Sequence, residues 1–101
     1  MAQIEIDRYV VETLMPDLVG HDRRPSAFIV YLALWHRSDG PRERAVEASL
    51  RELAESTGLS KRAVQSAIAK LVRRKLLAVE RSSSTAVPSY RVLRPWARRR
   101  S

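Results

Sequence analysis

The fold of this chain is decided by the stretch Leu53-Ala54-Glu55-Ser56-Thr57-Gly58-Leu59-Ser60-Lys61-Arg62-Ala63-Val64-Gln65-Ser66-Ala67-Ile68, in the middle of its 101 residues. Gly58 predicts a break between two helices, because glycine tolerates the positive φ that a tight turn needs. Ser60 is a preferred type of residue for capping the second helix. The inner face of that helix is predicted from apolar residues at i, i+4 and i+7, which are Val64, Ile68 and Leu71.

The segments on either side extend this pattern. Ser49-Leu50-Arg51-Glu52 has the spacing of a capping box, which starts the first helix, and residues 45–48 before it are compatible with a brief strand. After the second helix, residues 77–81 and 89–93 have the composition of two strands, with the polar loop 82–88 between them. The predicted order is therefore helix, turn, helix and hairpin.

The first half of the chain supplies one further helix and an ambiguous segment. Residues 26–37 predict a helix whose apolar side chains surround almost its whole circumference, so it must be covered on more than one side. We favour residues 1–20 as the second cover, with a dimer partner as the alternative. Within that segment Ile4 and Ile6 alternate as in a short strand, and residues 9–15 fit a helix or a strand that Pro16 ends.

The charge of the chain is concentrated in its second half. The formal net charge is +8 and the sequence pI is about 11.0. Residues 1–50 contain six arginines and eight acids (6 − 8 = −2), whereas residues 51–101 contain thirteen basic residues and three acids (13 − 3 = +10). Such asymmetry indicates a polyanionic partner for the second half. The apolar content of 45% is too high for a disordered basic protein.

Several kinds of chemistry have no support in the sequence. There is no cysteine, which excludes a disulfide framework, a thiolate zinc site and a cysteine nucleophile. The neighbours His21 and Asp22 do not complete a metal site, and no glycine-rich phosphate loop is present. We therefore expect no enzyme activity, no cofactor, no metal and no small-molecule ligand. The longest apolar run is residues 27–35, and no signal peptide precedes it, so we expect no membrane association and a cytoplasmic, nucleoid-associated location.

This order of elements resembles the winged helix-turn-helix domain of bacterial transcription regulators and plasmid replication initiators, over about residues 26–95. The resemblance rests on Ala54, Gly58, Leu59, Val64 and Ile68 and on the closing strand Ser89-Tyr90-Arg91-Val92. It implies an α+β, mostly α fold with a three-helix core, a C-terminal β-hairpin wing and an N-terminal segment packed on the first helix. The implied division is an N-terminal segment at 1–20, the domain at 21–94 and a basic tail at 95–101.

One position departs from the motif. Lys75 stands where such domains commonly have a glycine that closes the helix in the left-handed conformation. Lys75 must therefore bear strain, or the helix must end differently.

The resemblance implies sequence-specific binding of double-stranded DNA by a bacterial transcription regulator, with a recognition helix at about 60–75 and a wing at about 78–93. Base contacts are expected from Lys61, Arg62, Gln65 and Ser66. Phosphate contacts are expected from Ser49, Ser60, Lys70, Arg73, Arg81 and Arg91, and tail contacts from Arg98, Arg99 and Arg100. For Arg74 and Lys75 a favourable interaction with the helix dipole is equally compatible. Trp96 is expected to pack on the domain rather than stack on a base.

Three alternatives stay open at this point. Winged helices also serve as protein–protein docking or replication-initiation modules, and the very apolar helix 26–37 is compatible with that role. A homodimer through the N-terminal segment and helix 26–37 is compatible with either function. RNA binding is disfavoured, because the deep, narrow major groove of duplex RNA does not admit a helix.

Overall fold

The computed structural model describes residues 2–83 and 86–97. Three α-helices and a three-stranded antiparallel sheet form the winged helix-turn-helix architecture, which confirms the predicted fold class. The elements are α1 (Pro25–Arg37), β1 (Val46–Glu47), α2 (Leu50–Thr57), α3 (Lys61–Arg73), β2 (Leu77–Glu80) and β3 (Ser89–Val92), with a short 3₁₀ turn at Gly40–Arg42. Within the described residues, no helix has the length and apolar character needed to cross a membrane.

The N-terminal segment is helical. Two π-helical stretches, Val10–Leu14 and Pro16–His21, follow each other through Met15, which keeps helical angles; we call them the N-terminal helix. The expectation that Pro16 ends the helix is wrong. Proline lacks an N–H, but it is tolerated in the first turn of a helix, and here it opens the second stretch.

The N-terminal helix packs on α1, as the fold prediction required. Val10, Leu14 and Leu18 are buried at a four-residue spacing along its inner face. They complete the cover of α1, on which Phe28, Tyr31, Leu34 and Trp35 are among the buried residues. Burial on both sides explains why the apolar residues of α1 surround its axis. Residues 2–7 ahead of the N-terminal helix belong to no described strand, so the alternation of Ile4 and Ile6 was misleading.

The helix-turn-helix has the local structure that its sequence predicts. The Ser49 hydroxyl accepts a bond from the Glu52 N–H at 3.1 Å, and the Glu52 carboxylate accepts one from the Ser49 N–H at 2.8 Å, which is a complete capping box. Gly58 ends α2 in the left-handed conformation, with φ of 80°. The Ser60 hydroxyl then accepts a bond from the Ala63 N–H at 3.0 Å and caps α3.

The hairpin closes the domain beside these helices. β3 is central in the sheet, with β2 and the short β1 on its two sides, and Tyr90 faces both Val79 and Val46. The three predicted strands are therefore present; β1 is one residue shorter at each end than predicted, and β2 and β3 begin as predicted and end one residue earlier. The hydroxyl of Tyr31 donates to the carbonyl of Leu93 at 2.9 Å, which joins α1 to the chain just after β3.

At the junction between α3 and the wing, Lys75 adopts the strained left-handed conformation, which was the first of the two alternatives expected from the sequence. Lys75 has a φ of 59°. The Leu76 N–H donates to the Leu71 carbonyl at 2.9 Å and the Lys75 N–H to the Val72 carbonyl at 3.0 Å. This pair of bonds is the Schellman motif, in which the left-handed position is usually glycine.

Residues from the two ends of the described chain meet on the same side of the core. Asp7 accepts bonds from the Arg94 guanidinium at 2.6 and 2.9 Å and from the Trp96 indole N–H at 2.9 Å. Arg94 also donates to the Glu43 carboxylate at 3.1 Å. Arg94, the last residue of the predicted domain, is thus tied into the fold by these ion pairs. Trp96 packs on the domain as expected, stacked on Tyr9.

Candidate nucleic-acid interface

The outer face of α3 is exposed and basic. Its exposed residues are Lys61, Arg62, Gln65, Ser66, Ala69, Val72 and Arg73. Val64, Ala67 and Leu71 on the opposite face are buried in the core. All four residues for which base contacts were predicted therefore lie on one exposed face, and α3 contains no acidic residue.

The N-terminal ends of α2 and α3 and the wing enclose a shared groove. The groove has a volume of about 380 Å³, and it is lined by Ser49, Leu50, Arg51, Lys61, Arg81, Ala86, Val87 and Pro88. It brings together Ser49, Lys61 and Arg81, which were predicted separately as DNA contacts. The groove surface therefore continues the basic face of α3 toward the wing.

Arg51 is a cation of this groove that our sequence interpretation did not include. It sits in the first turn of α2, and within the described residues its side chain pairs only with Glu55, at 3.4 Å across an exposed i, i+4 pair. Such exposed pairs contribute about 0–1 kcal/mol and leave the guanidinium accessible to another anion. The sequence contained a signal that would have identified Arg51, because it lies two residues after Ser49, the N-cap of α2 and a predicted phosphate contact.

The two serine caps have different charge environments. Ser49 shares its corner with the Glu52 carboxylate, whose pKa lies below its ordinary value because the Ser49 backbone N–H donates to it. The negative charge of Glu52 would repel a phosphate group at Ser49. Ser60 has no acid in its cap, and the N-terminal turn of α3 adds the positive end of a helix dipole.

Lys70 and Arg74, at the inner edge of α3, are engaged within the protein. Lys70 Nζ lies 3.4 Å from the Asp22 carboxylate, and the side chain of Lys70 is 21% exposed. Arg74 forms ion pairs with both Asp17 and Asp22 of the N-terminal segment. From the sequence, an interaction with the dipole of α3 was one interpretation of Arg74. Its main partners are instead Asp17 and Asp22, which no sequence pattern connects with Arg74.

Asp17, His21 and Asp22 form a cluster whose ligand atoms lie within 4.8 Å of one another. The His21 ring nitrogen Nδ1 is 3.1 Å from the Asp22 carboxylate. The pKa of Asp22 lies below its ordinary value, mainly because of the hydrogen bond with His21 and further because of Arg74 and Lys70, while burial opposes the shift. Because the guanidinium and the ammonium already balance these carboxylates, the cluster serves as an attachment between the N-terminal helix and α3.

The remaining predicted contacts lie on the wing and the tail. Arg81 is exposed just after β2, and Arg91 is exposed in β3 opposite Ala78. Arg73 is exposed in the last turn of α3. Arg98, Arg99 and Arg100 lie outside the described residues, so the structure does not test the predicted tail contacts.

Comparisons with known proteins agree with this architecture. Residues 24–77 match the family described as the helix-turn-helix domain. The match spans α1, α2 and α3 and reaches the first residue of β2, which is more than half of the chain. Comparisons with curated proteins and with solved structures gave no match. With its helices in the order and geometry just described, the chain belongs to the helix-turn-helix domain family.

Proposed function

We propose that this protein binds double-stranded DNA sequence-specifically, with α3 as the recognition helix, and that it is a bacterial transcription regulator. The observation that carries the proposal is the exposed face of α3, which presents Lys61, Arg62 and Arg73 without an acid on the same helix. A DNA-binding function is typical of the helix-turn-helix family. We propose a binding role rather than a catalytic one, exercised inside the cell in association with the nucleoid.

The residues of α3 suit the chemistry of base edges. The B-DNA major groove is about 12 Å wide and admits one helix. The Arg62 guanidinium has the donor geometry for guanine O6 and N7, and the Gln65 amide can pair with adenine N6 and N7. Lys61 and Ser66 lie beside them on the same exposed face and complete the proposed base-reading set.

The proposed backbone contacts flank this set. Arg51 and Arg81 line the groove between the helices and the wing together with Lys61, so one run of phosphates can meet both arginines while Lys61 faces the bases. Ser60, Arg73 and Arg91 are the further proposed phosphate contacts, together with the tail residues Arg98, Arg99 and Arg100. We leave Lys70 out, because its ammonium already pairs with Asp22.

Selection from random duplex DNA at near-physiological salt tests this proposal. We expect an enriched motif, and we expect the variants Arg62→Ala and Gln65→Ala to lose preference at single positions of it, by about 1–3 kcal/mol each. Arg42→Ala is the matched control, because Arg42 is exposed in the 3₁₀ turn Gly40–Arg42 and pairs with Asp39. Binding that does not weaken as salt rises would contradict the proposal, since phosphate contacts release counterions.

We also propose that the protein acts as a homodimer through the N-terminal helix. Of the exposed large apolar side chains in the described chain, six lie within residues 2–20, and Val11 (48% exposed), Met15 (38%) and Val19 (39%) form a stripe at four-residue spacing. Such patches are uncommon on monomers and mark interaction sites. Beside the stripe lie Arg8 and Glu12, which have opposite charges, so the surface is self-complementary in charge, as a two-fold interface requires.

A second copy is the occupant we propose, because two copies would present two recognition helices to half-sites about one helical turn apart. Light scattering of the wild type should give the mass of a dimer. Met15→Glu should give a monomer, whereas Thr13→Glu on the same helix should not. A wild type that remains monomeric at high micromolar concentration, with and without DNA, would overturn the dimer and favour docking to another protein or a replication-initiation role.

A further inference from the structure

The exposed face of α3 has two edges, and different parts of the chain lie against each. At one edge Lys61 belongs to the groove that it shares with α2 and the wing. At the other edge Lys70 follows Ser66 by one turn and precedes Arg73 by one turn. There its partner is Asp22, which lies in the short connection between the N-terminal helix and α1.

This connection, residues 22–24, is held firmly against α3. The Asp22 carboxylate contacts both Lys70 and Arg74. The Asp22 N–H donates to the Asp17 carbonyl at 2.8 Å, and the Arg24 N–H donates to the Leu18 carbonyl at 2.7 Å. Between them Arg23 adopts a φ of 56°, which reverses the chain direction ahead of α1. The connection therefore has a defined position beside the basic helix face.

The charges of the connection do not cancel locally. Asp17 and Asp22 are balanced by Lys70 and Arg74. Arg23 and Arg24 are exposed, and neither has a side-chain hydrogen bond or ion pair within residues 2–83 and 86–97. Arg73 is exposed on the neighbouring turn of α3. This edge consequently has an excess of positive charge, although it belongs to the half of the chain with a net charge of −2.

We infer that Arg23 and Arg24 form a second phosphate-binding element, opposite the groove of Arg51, Lys61 and Arg81. The inference rests on the proposed function. A helix with its side chains is about 10–12 Å across, close to the width of the major groove, so the two DNA strands lie along its two edges. Arg51 and Arg81 in the groove meet the backbone of one strand, and Arg23 and Arg24 meet the backbone of the other.

The test is the salt dependence of duplex binding by variants of these two arginines. Arg23→Gly removes the charge and suits the positive φ at this position, so the fold is retained. Arg24→Ala removes the second charge. Each variant should lower the magnitude of the slope of log K against log salt by about one unit, and it should weaken binding to selected and unrelated duplexes by the same factor. Arg23→Lys, which keeps the charge, should retain the slope, as should the control Arg42→Ala.

The outcomes separate this inference from the proposed function. Suppose that the wild type binds duplex DNA with a steep salt slope and that the double variant Arg23→Gly, Arg24→Ala has the same slope. The second phosphate-binding element is then refuted, while the proposed role of the recognition helix is unaffected. A weaker affinity with an unchanged slope also refutes it, because the loss is then conformational. If the wild type itself shows no salt-dependent binding of duplex DNA, the proposed function fails first. Thermal unfolding of each variant, followed by circular dichroism, verifies that the fold is intact.

Discussion

The indole ring of Trp96 stacks on the phenol ring of Tyr9, with centroids 4.5 Å apart and planes inclined by 14°. The same indole donates its N–H to Asp7 at 2.9 Å. Residues that follow the last strand are thereby attached to residues that precede the N-terminal helix. Stacking and hydrogen bonding act on one side chain, so substitutions of Trp96 can separate them.

Trp96→Ala should lower the free energy of unfolding by about 1–3 kcal/mol, because it removes the stacked ring and leaves one donor fewer on Asp7. Trp96→Phe keeps a six-membered ring above Tyr9 and loses the N–H and the rest of the indole, so its effect should be smaller, about 1 kcal/mol. Urea unfolding at neutral pH measures both. Equal losses for the two variants would show that the ring contact adds nothing.

Lys75→Gly should raise the free energy of unfolding by about 1 kcal/mol. A residue with a Cβ pays roughly 1–2 kcal/mol in the left-handed conformation, and the greater flexibility of unfolded glycine offsets part of the gain. Lys75→Ala is the control, since it removes the charge and retains the Cβ. We expect a higher midpoint in urea for the glycine variant alone; a gain shared by the alanine variant would point to charge instead of strain.

Acid should destabilise the protein partly through Asp22. Its pKa in the folded state lies below the ordinary value of 3.8, so the associated stability is present above that pH and is lost as the pH falls through the folded value. Asp22→Asn should reduce stability at pH 7 by roughly 1–3 kcal/mol, because the hydrogen bonds from charged partners are lost.

The pH profile of unfolding provides the decisive comparison for Asp22. The difference between wild type and Asp22→Asn should be large at pH 7 and should shrink below about pH 4. A difference that stays constant from pH 7 to pH 2 would mean that the Asp22 charge contributes nothing.

Tyr31→Phe should lower the free energy of unfolding by about 1 kcal/mol, because the Leu93 carbonyl loses the hydroxyl that binds it at 2.9 Å. Burial raises the pKa of the Tyr31 hydroxyl above its ordinary value of 10.0. The unfolded chain therefore ionises first, and the wild type should lose stability as the pH rises above 10. Unfolding at pH 7 and pH 11 tests this, and the variant should lose less over that interval.

The parts of the fold that the sequence predicted correctly depend on short-range signals. The capping box joins Ser49 to Glu52, the turn needs only Gly58, and the cap of α3 joins Ser60 to Ala63. Each involves residues within four positions, where spacing alone determines geometry. The same applies to the exposed face of α3, which follows from helical periodicity.

The parts that were missed depend on contacts between distant residues. Nothing in the sequence pairs Asp22 with Lys70 or Asp7 with Arg94, because an ion pair leaves no periodic pattern. For that reason Lys70 was predicted as a phosphate contact, and the ion pair of Arg94 was not predicted at all. The N-terminal helix was ambiguous because residues 9–15 have apolar side chains on more than one side: Val10 and Leu14 are buried, whereas Tyr9, Val11 and Met15 are exposed.

The contact between Asp7 and Trp96 makes the described fold a nearly closed loop of chain. The chain therefore enters and leaves the domain at the same place. A short linker there could join the two ends, and new ends could be opened in another loop, which would give a circular permutant. The same arrangement would let the whole unit be inserted into a surface loop of another protein without separating the two ends of that loop.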